Sequence, residues 1–228
     1  RIHSLVGPTN NSAVNLSTGS WTVEFYVYLG DNYSKQGLIQ NAVFGATVST
    51  YNGWGAQQNY NVFEVFHNFI EEVKPKRILE IGTSLGGFTS FLKYTTDKLN
   101  IPCEVLTFDI HEKYWYGELV SMGIKVRIEN IFLNDFTEVT QEVIDFIKSD
   151  GTTIVLCDGG DKVREFNVLS NYLKEGDYIL AHDYSYSKEV YESDIKDKIW
   201  NWCEITEQDI EESVVENNLK SYNQDKFS

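Results

Sequence analysis

The sequence is poor in positive charge. Its 228 residues carry 19 Lys and Arg against 34 Asp and Glu, a formal net charge of −15. Nucleic-acid binding needs clustered Lys and Arg to neutralise phosphates, so this balance excludes nucleic acid as the expected partner and disfavours an anionic lipid surface. Much of the acidic excess lies in Glu204 to Glu216, which contains no Lys or Arg and reads as a solvated acidic face. Cysteine is also scarce. Cys103, Cys157 and Cys203 are far apart, and no CxxC pair exists to suggest a zinc site or a redox dithiol. Cys157 sits in an apolar run as a small buried residue, and the pattern suits a reducing, cytoplasmic setting. No apolar run approaches the ~20 residues of a membrane span. The opening Arg1-Ile2-His3 has no signal-peptide core and no Met, so a fragment edge is expected there.

What is present is globular: 42% hydrophobic and 14% aromatic residues, in a length that suits one large domain or one domain with an appendage. Residues 1 to about 20 are rich in Asn, Ser, Thr and Gly and read as loop, and Trp21–Leu29 reads as a strand. Residues 1–50 are taken as an N-terminal extension and 51–228 as the main domain. From Tyr60 the pattern is regular. Val62, Phe63, Val65, Phe66, Phe69 and Ile70 recur at helical spacing up to Lys74-Pro75. Strands are expected at 78–81, 104–110, 125–129, 153–158 and 177–183, with helices over about 86–98, 114–122, 137–148 and 161–173. Ile205–Asn217 reads as helix, and Leu219–Tyr222 as the opening of a sixth strand. Strands alternating with helices predict an α/β fold: a Rossmann-like, doubly wound, mostly parallel sheet flanked by helices. Ligands bind beyond the carboxyl ends of such strands. There the sequence places Glu80 and Gly82, Asp109, Asn130, Asp158, and His182 with Asp183.

Arg77–Ser90, RILEIGTSLGGFTS, is the most informative stretch. A short apolar strand runs into Gly82-Thr83-Ser84-Leu85-Gly86-Gly87, and a helix follows. Glycines let the backbone approach a ligand, and the helix N-terminus offers free N–H groups. Glu80 beside the turn would repel a phosphate and suits a ligand with amines and hydroxyls. The spacing does not fit the G-x-G-x-x-G of nicotinamide enzymes.

The turn resembles motif I of class I S-adenosylmethionine-dependent methyltransferases, E-x-G-x-x-x-G, here Glu80 to Gly86. Asp109 stands where that family uses an acid on the ribose hydroxyls, and a carboxylate can accept from two vicinal hydroxyls. Asn130-Ile131 falls where the adenine is contacted. The resemblance thus implies a cofactor pocket of Glu80, Gly82, Thr83, Ser84, Gly86, Gly87, Asp109, Ile110, Asn130, Ile131 and Asp158. Gly55-Ala56-Gln57-Gln58, Cys157-Asp158-Gly159-Gly160 and His182-Asp183-Tyr184 extend the likeness to the cephalosporin hydroxylase family and its neighbours, the macrolide and rhamnosyl O-methyltransferases, over about residues 51–205.

That resemblance implies an S-adenosylmethionine-dependent O-methyltransferase acting on a small hydroxylated acceptor. It also implies a divalent cation, Mg²⁺, held by Asp158 and Asp183 with His182 as a third ligand. Such an ion would lower the pKa of the acceptor hydroxyl. His182, Asp158 and Lys162 are the expected catalytic residues, with His182 or Lys162 taking the proton. The chain departs from the family where His182 replaces an acid and Asp161 replaces a His. Two alternatives stand beside the enzyme: a cephalosporin-hydroxylase-like reaction, and a non-catalytic module that retains the cofactor pocket. Tyr184, Tyr186, Tyr191, Trp200 and Trp202 could wall an acceptor pocket, although packing is the commoner role. No convincing seventh strand precedes Ser228, which points to a truncated edge or to one completed by another chain in a homo-oligomer.

Overall fold

The computed structural model describes residues 39–43, 46–51, 53–58, 61–198 and 201–222. The strand expected at Trp21–Leu29 and the residue Trp200 lie outside them.

Five strands form one parallel sheet: β4 (Arg77–Ile81), β5 (Glu104–Asp109), β6 (Lys125–Ile128), β9 (Thr153–Cys157) and β10 (Tyr178–Ala181), in the order β10-β9-β4-β5-β6. β4 and β9 are buried along their whole length, and both are mostly apolar, with Arg77 and Glu80 as the charged residues of β4. Alternate strand residues feed two cores. Ile78, Val105, Ile154 and Leu180 pack under α1 (Asn61–Val73) and α2 (Gly87–Lys98) through Phe66, Ile70, Phe88 and Leu92. Leu79, Leu106, Val155 and Ile179 face the other way, onto Val143 and Ile147 of α4 (Gln141–Lys148) and Phe166 and Leu169 of α5 (Lys162–Leu169). Helices therefore cover both faces, as the alternating pattern predicts.

Smaller elements complete the fold. β1 (Ile39–Val43), β2 (Ala46–Tyr51) and β3 (Trp54–Gly55) form an antiparallel sheet ahead of α1 that the sequence reading left unassigned. α3 (Tyr116–Ser121) follows β5. A two-strand ladder of β7 (Phe132–Leu133) and β8 (Glu138–Val139) occupies the start of the helix expected at 137–148, so α4 begins only at Gln141. The helix expected over 161–173 ends at Leu169 and continues as a single 3₁₀ turn, Ser170–Tyr172. β11 (Tyr184–Ser185) continues the expected fifth strand after a break at His182-Asp183, and α6 (Lys188–Val190) follows. Ile205–Thr206 is not helical. It forms β12, parallel to β11, ahead of α7 (Glu207–Glu216). Leu219–Tyr222 forms no strand: the Leu219 N–H closes the end of α7 on Val214 O, and Tyr222 packs on Phe69 and Tyr178. Among the described residues, no helix is long and apolar enough to cross a membrane.

Arg77 ties the sheet to the chain end of α4. Its Nη2 donates to the carbonyls of Ser149 (2.5 Å), Asp150 (2.7 Å) and Gly151 (2.9 Å), and its Nε to Thr153 Oγ1 (3.2 Å). These carbonyls follow the last turn of a helix, where a cation is favoured. Arg77→Met keeps the apolar stem but strands the acceptors, so urea unfolding should register a loss of about 2 kcal/mol.

Candidate functional site

The sheet reverses its order beside β4: β5 and β6 lie on one side, β9 and β10 on the other. Parallel sheets open a crevice at that point, beyond the carboxyl ends of the strands. Gly82 stands in it. Its N–H donates to Phe108 O (2.8 Å), and the Asp158 N–H donates to Ile81 O (2.9 Å), so the strand ends are laced together. Gly82 has φ +98°, and a Cβ there would lie 2.2 Å from the Asp158 carbonyl oxygen. Only glycine permits both the conformation and the approach.

A cleft of about 560 Å³ opens there. Of the residues expected to bind a cofactor, Gly82, Ser84, Asp109, Ile110, Asn130, Ile131 and Asp158 line it. Asp109 is its best-fixed polar group. Oδ2 accepts from the Ser84 N–H (2.8 Å) and the Tyr116 hydroxyl (3.1 Å), and Oδ1 accepts from the His111 N–H (2.9 Å). With one bond on Oδ1, the carboxylate keeps acceptor capacity toward the cleft. Asn130 Oδ1 caps its own turn by accepting from the Phe132 N–H (3.0 Å). Ile110 is exposed, while Ile131 and Phe132 are buried, so that side of the cleft is apolar.

Glu80, Thr83, Gly86 and Gly87 do not line the cleft. The Glu80 carboxylate is buried, and Oε2 accepts from Thr89 Oγ1 (2.5 Å) and Thr107 Oγ1 (2.7 Å). Thr83 Oγ1 is bonded to the same Thr107 hydroxyl (2.7 Å). A Cβ on Gly87 would lie 2.5 Å from Trp54 O, so this glycine seats α2 against β3. Glu80 thus braces the turn from inside the fold. The sequence pattern located the turn correctly but not the direction its acid faces.

Burial raises the Glu80 pKa to about 7, against the opposing hydrogen bonds of Thr107 and Thr89. Glu165 behaves alike. Burial raises it to about 7, although the N–H groups of Gly159 and Asp161 donate to it at 3.1 Å each. Both folded values exceed the ordinary Glu value, so the native state binds more protons than the unfolded chain between about pH 4.5 and 7. Stability from these groups is complete at the acidic end and declines as pH rises toward 7. Glu80→Gln keeps an acceptor for both threonines and removes one ionisation. Its stability relative to the native chain should rise by roughly 1–3 kcal/mol from pH 5 to pH 8, as read by urea titration.

Asp158, His182 and Asp183 come together as expected, with one donor atom from each within 4.8 Å of the others. His182 and Asp183 occupy the break between β10 and β11, where Asp183 takes φ +58°. His182 Nδ1 lies 3.0 Å from Asp158 Oδ1 and 3.3 Å from Asp183 Oδ1. Gln58 Nε2 donates to Asp158 Oδ2 (3.1 Å). Burial pushes the His182 pKa down, but attraction and hydrogen bonds from Asp158 and Asp183 lift it to about 9. Lys162 Nζ is buried among Glu204 Oε2 (2.6 Å), Asp183 Oδ2 (3.3 Å) and Asp158 Oδ1 (3.8 Å), and it donates to Gly159 O (3.1 Å). Burial lowers its pKa, and the three carboxylates raise it above the ordinary lysine value. The surrounding carboxylates thus favour the protonated form of both groups. Of the three expected catalytic residues, only Asp158 lines the cleft.

Sequence reading assigned no site role to Glu204, Tyr116, Glu165 or Gln57. Gln57 lines the cleft and accepts from the Ser84 hydroxyl. Glu165 lies four residues after Asp161, a spacing it shares with any solvated helical acid. Glu204 reaches the cluster only because β12 pairs with β11, and its N–H donates to Asp183 O (2.8 Å). Of the aromatic group, none of the described residues lines this cleft: Tyr184 and Tyr191 are buried, and Tyr186 and Trp202 are exposed.

Residues 50–228 match the family described as rhamnosyl O-methyltransferase/CmcI. No curated protein matches the chain. Among solved structures, CmcI with SAH is 18% identical with TM-score 0.43, over 59% of this chain and 66% of that one. CmcI with Mg-SAM is 18% identical with TM-score 0.43, over 67% and 60%. The CMeT domain of the citrinin polyketide synthase is 16% identical with TM-score 0.41, over 54% and 35%. The chain spans 55% to 66% of the length of the CmcI structures.

Proposed function

Because this chain belongs to the rhamnosyl O-methyltransferase/CmcI family, we propose that residues 51–228 bind S-adenosylmethionine and transfer its methyl group to an oxygen of a small hydroxylated acceptor, of the sugar or natural-product type. The observation that carries this reading is the Asp109 carboxylate, held at the end of β5 by Ser84, His111 and Tyr116 with acceptor capacity left over the cleft. A vicinal diol is the natural partner for such a group.

The donor set suits this cofactor. Asp109 would take the ribose hydroxyls. Ile110, Ile131 and Phe132 would flank an apolar heterocycle, with the Asn130 side chain at its edge. The Gly82 backbone leaves room for the remainder. When bound, the cofactor supplies an electrophilic methyl on a sulfonium. The chain has to hold the acceptor oxygen in line and keep water out. Asp158 is the acid of its cluster that faces the cleft, so it would accept a hydrogen bond from the acceptor hydroxyl. His182 and Lys162 hold Asp158 in place from behind.

The acidic cluster does not fit a divalent ion as it stands. A buried ammonium already contacts Asp158 and Asp183, and His182 Nδ1 lies against the same two carboxylates.

Calorimetry with S-adenosylhomocysteine tests the reading, and a folded protein with no binding at high micromolar ligand would sink it. Transfer of labelled methyl to catechols and sugars, with and without Mg²⁺, then identifies the acceptor class. Binding without transfer to any of them would favour a non-catalytic module.

A further inference from the structure

Lys162 is placed as a bound cation would be. Four elements deliver its surroundings: Asp158 follows β9, Asp183 follows β10, Glu204 precedes β12, and Lys162 itself opens α5. Four oxygens from Glu204, Gly159, Asp183 and Asp158 lie 2.6 to 3.8 Å from the one nitrogen. The side chain is only 6% exposed, so this is no surface ion pair. The two closest contacts, 2.6 and 3.1 Å, are ordinary ammonium–oxygen hydrogen bonds. Mg²⁺ would require its oxygens at about 2.0–2.1 Å in octahedral array. A cage sized for an ammonium has to contract around a smaller ion, and that ion would meet the buried Lys162 ammonium.

We infer that the Lys162 ammonium takes the place of a divalent cation in this cluster, so that the site proposed above holds its acids without a metal ion. A tethered cation satisfies Asp158, Asp183 and Glu204 together, and no ion has to be recruited from solution. Glu204 belongs to this arrangement: it makes the shortest contact to Nζ and lies outside the trio of metal-ligand candidates. The site's use in methyl transfer rests on the proposed function, but its ion occupancy does not. Failure of one is visible without the other.

The test is a titration with Mn²⁺ followed by electron paramagnetic resonance, on the native chain and on Lys162→Ala and Lys162→Gln. The native chain should show no saturable site up to millimolar Mn²⁺. Either folded variant should gain one Mn²⁺ per chain, at least ~10-fold tighter than any native binding, because an adjacent like charge has gone. Adding Asp183→Asn to the variant should abolish the gained site. Lys162→Gln retains a donor for Gly159 O and serves if the alanine change does not fold. A stoichiometric Mn²⁺ site in the native chain that Asp183→Asn removes would overturn the inference. So would folded Lys162 variants that gain no site. If the native chain binds no S-adenosylhomocysteine while the Mn²⁺ pattern appears as expected, the cofactor reading fails and the built-in cation stands.

Discussion

Asp109→Ala should weaken S-adenosylhomocysteine binding by roughly 10²–10³-fold, the sum of two charge-assisted hydrogen bonds to a vicinal diol and the order they impose on the turn. The size follows from how the carboxylate is held. Ser84 N–H, His111 N–H and the Tyr116 hydroxyl all converge on it, so the side chain is fixed before any ligand arrives. Its removal deletes the acceptor and also leaves the Ser84 N–H, in the glycine turn itself, without its acceptor. Asp109→Asn separates the two contributions. It keeps one oxygen for a backbone donor but loses the charge, and should cost about 10-fold. Tyr116→Phe deletes the one hydroxyl proton shared between Asp109 Oδ2 and Ser84 O, with no change to the ligand-facing oxygen, so a few-fold loss is expected. Calorimetry on variants checked by circular dichroism reads all three. Native affinity in Asp109→Ala would remove the observation on which the cofactor reading depends.

Asp109 was legible in the sequence because strand ends are legible. A run such as Glu104–Asp109 fixes where an apolar strand stops, and the parallel architecture fixes what lies beyond it. The same logic found Gly82, Asn130 and Asp158. It failed wherever position depends on a contact rather than a period. Glu80 opens a motif, yet whether its carboxylate faces the cleft or the core depends on Thr89 and Thr107, which lie nine and 27 residues away. Glu204 read as the start of a solvated acidic face because its role depends on a two-residue ladder between β11 and β12, too short to leave a periodic trace. Tyr116 and Glu165 are helical residues whose spacing suits a solvated face, and only the packed structure turns them toward Asp109 and the 159–161 turn. Protonation was the least legible property. His182 resembles a free base in sequence, yet two carboxylates close on it and raise its pKa.

Gly82→Ala should lower stability by roughly 3–5 kcal/mol, combining left-handed backbone strain with overpacking against an immovable neighbour. The neighbour decides the size. The added carbon would meet the carbonyl oxygen of Asp158 at 2.2 Å and its carbonyl carbon at 2.6 Å, both backbone atoms at the end of a fully buried strand. No side-chain rotation relieves that contact, so β4 and β9 must part where the sheet reverses its order. Parting them breaks the Asp158 N–H to Ile81 O bond and shifts Asp158 relative to Asp109, the two acids on opposite sides of the cleft. A melting temperature lower by about 10 °C is the expected reading for a chain of this size. Gly160→Ala is the matched control. It lies on the same cleft, has no positive φ, and has nothing within 4 Å of the added carbon, so its cost should stay under about 1 kcal/mol. Equal melting temperatures for the two variants would mean that the approach of Gly82 to Asp158 does not hold the strand ends together. A large loss at Gly82 alone, accompanied by lost S-adenosylhomocysteine binding, would tie the stability of the crevice to the ligand it is built to receive.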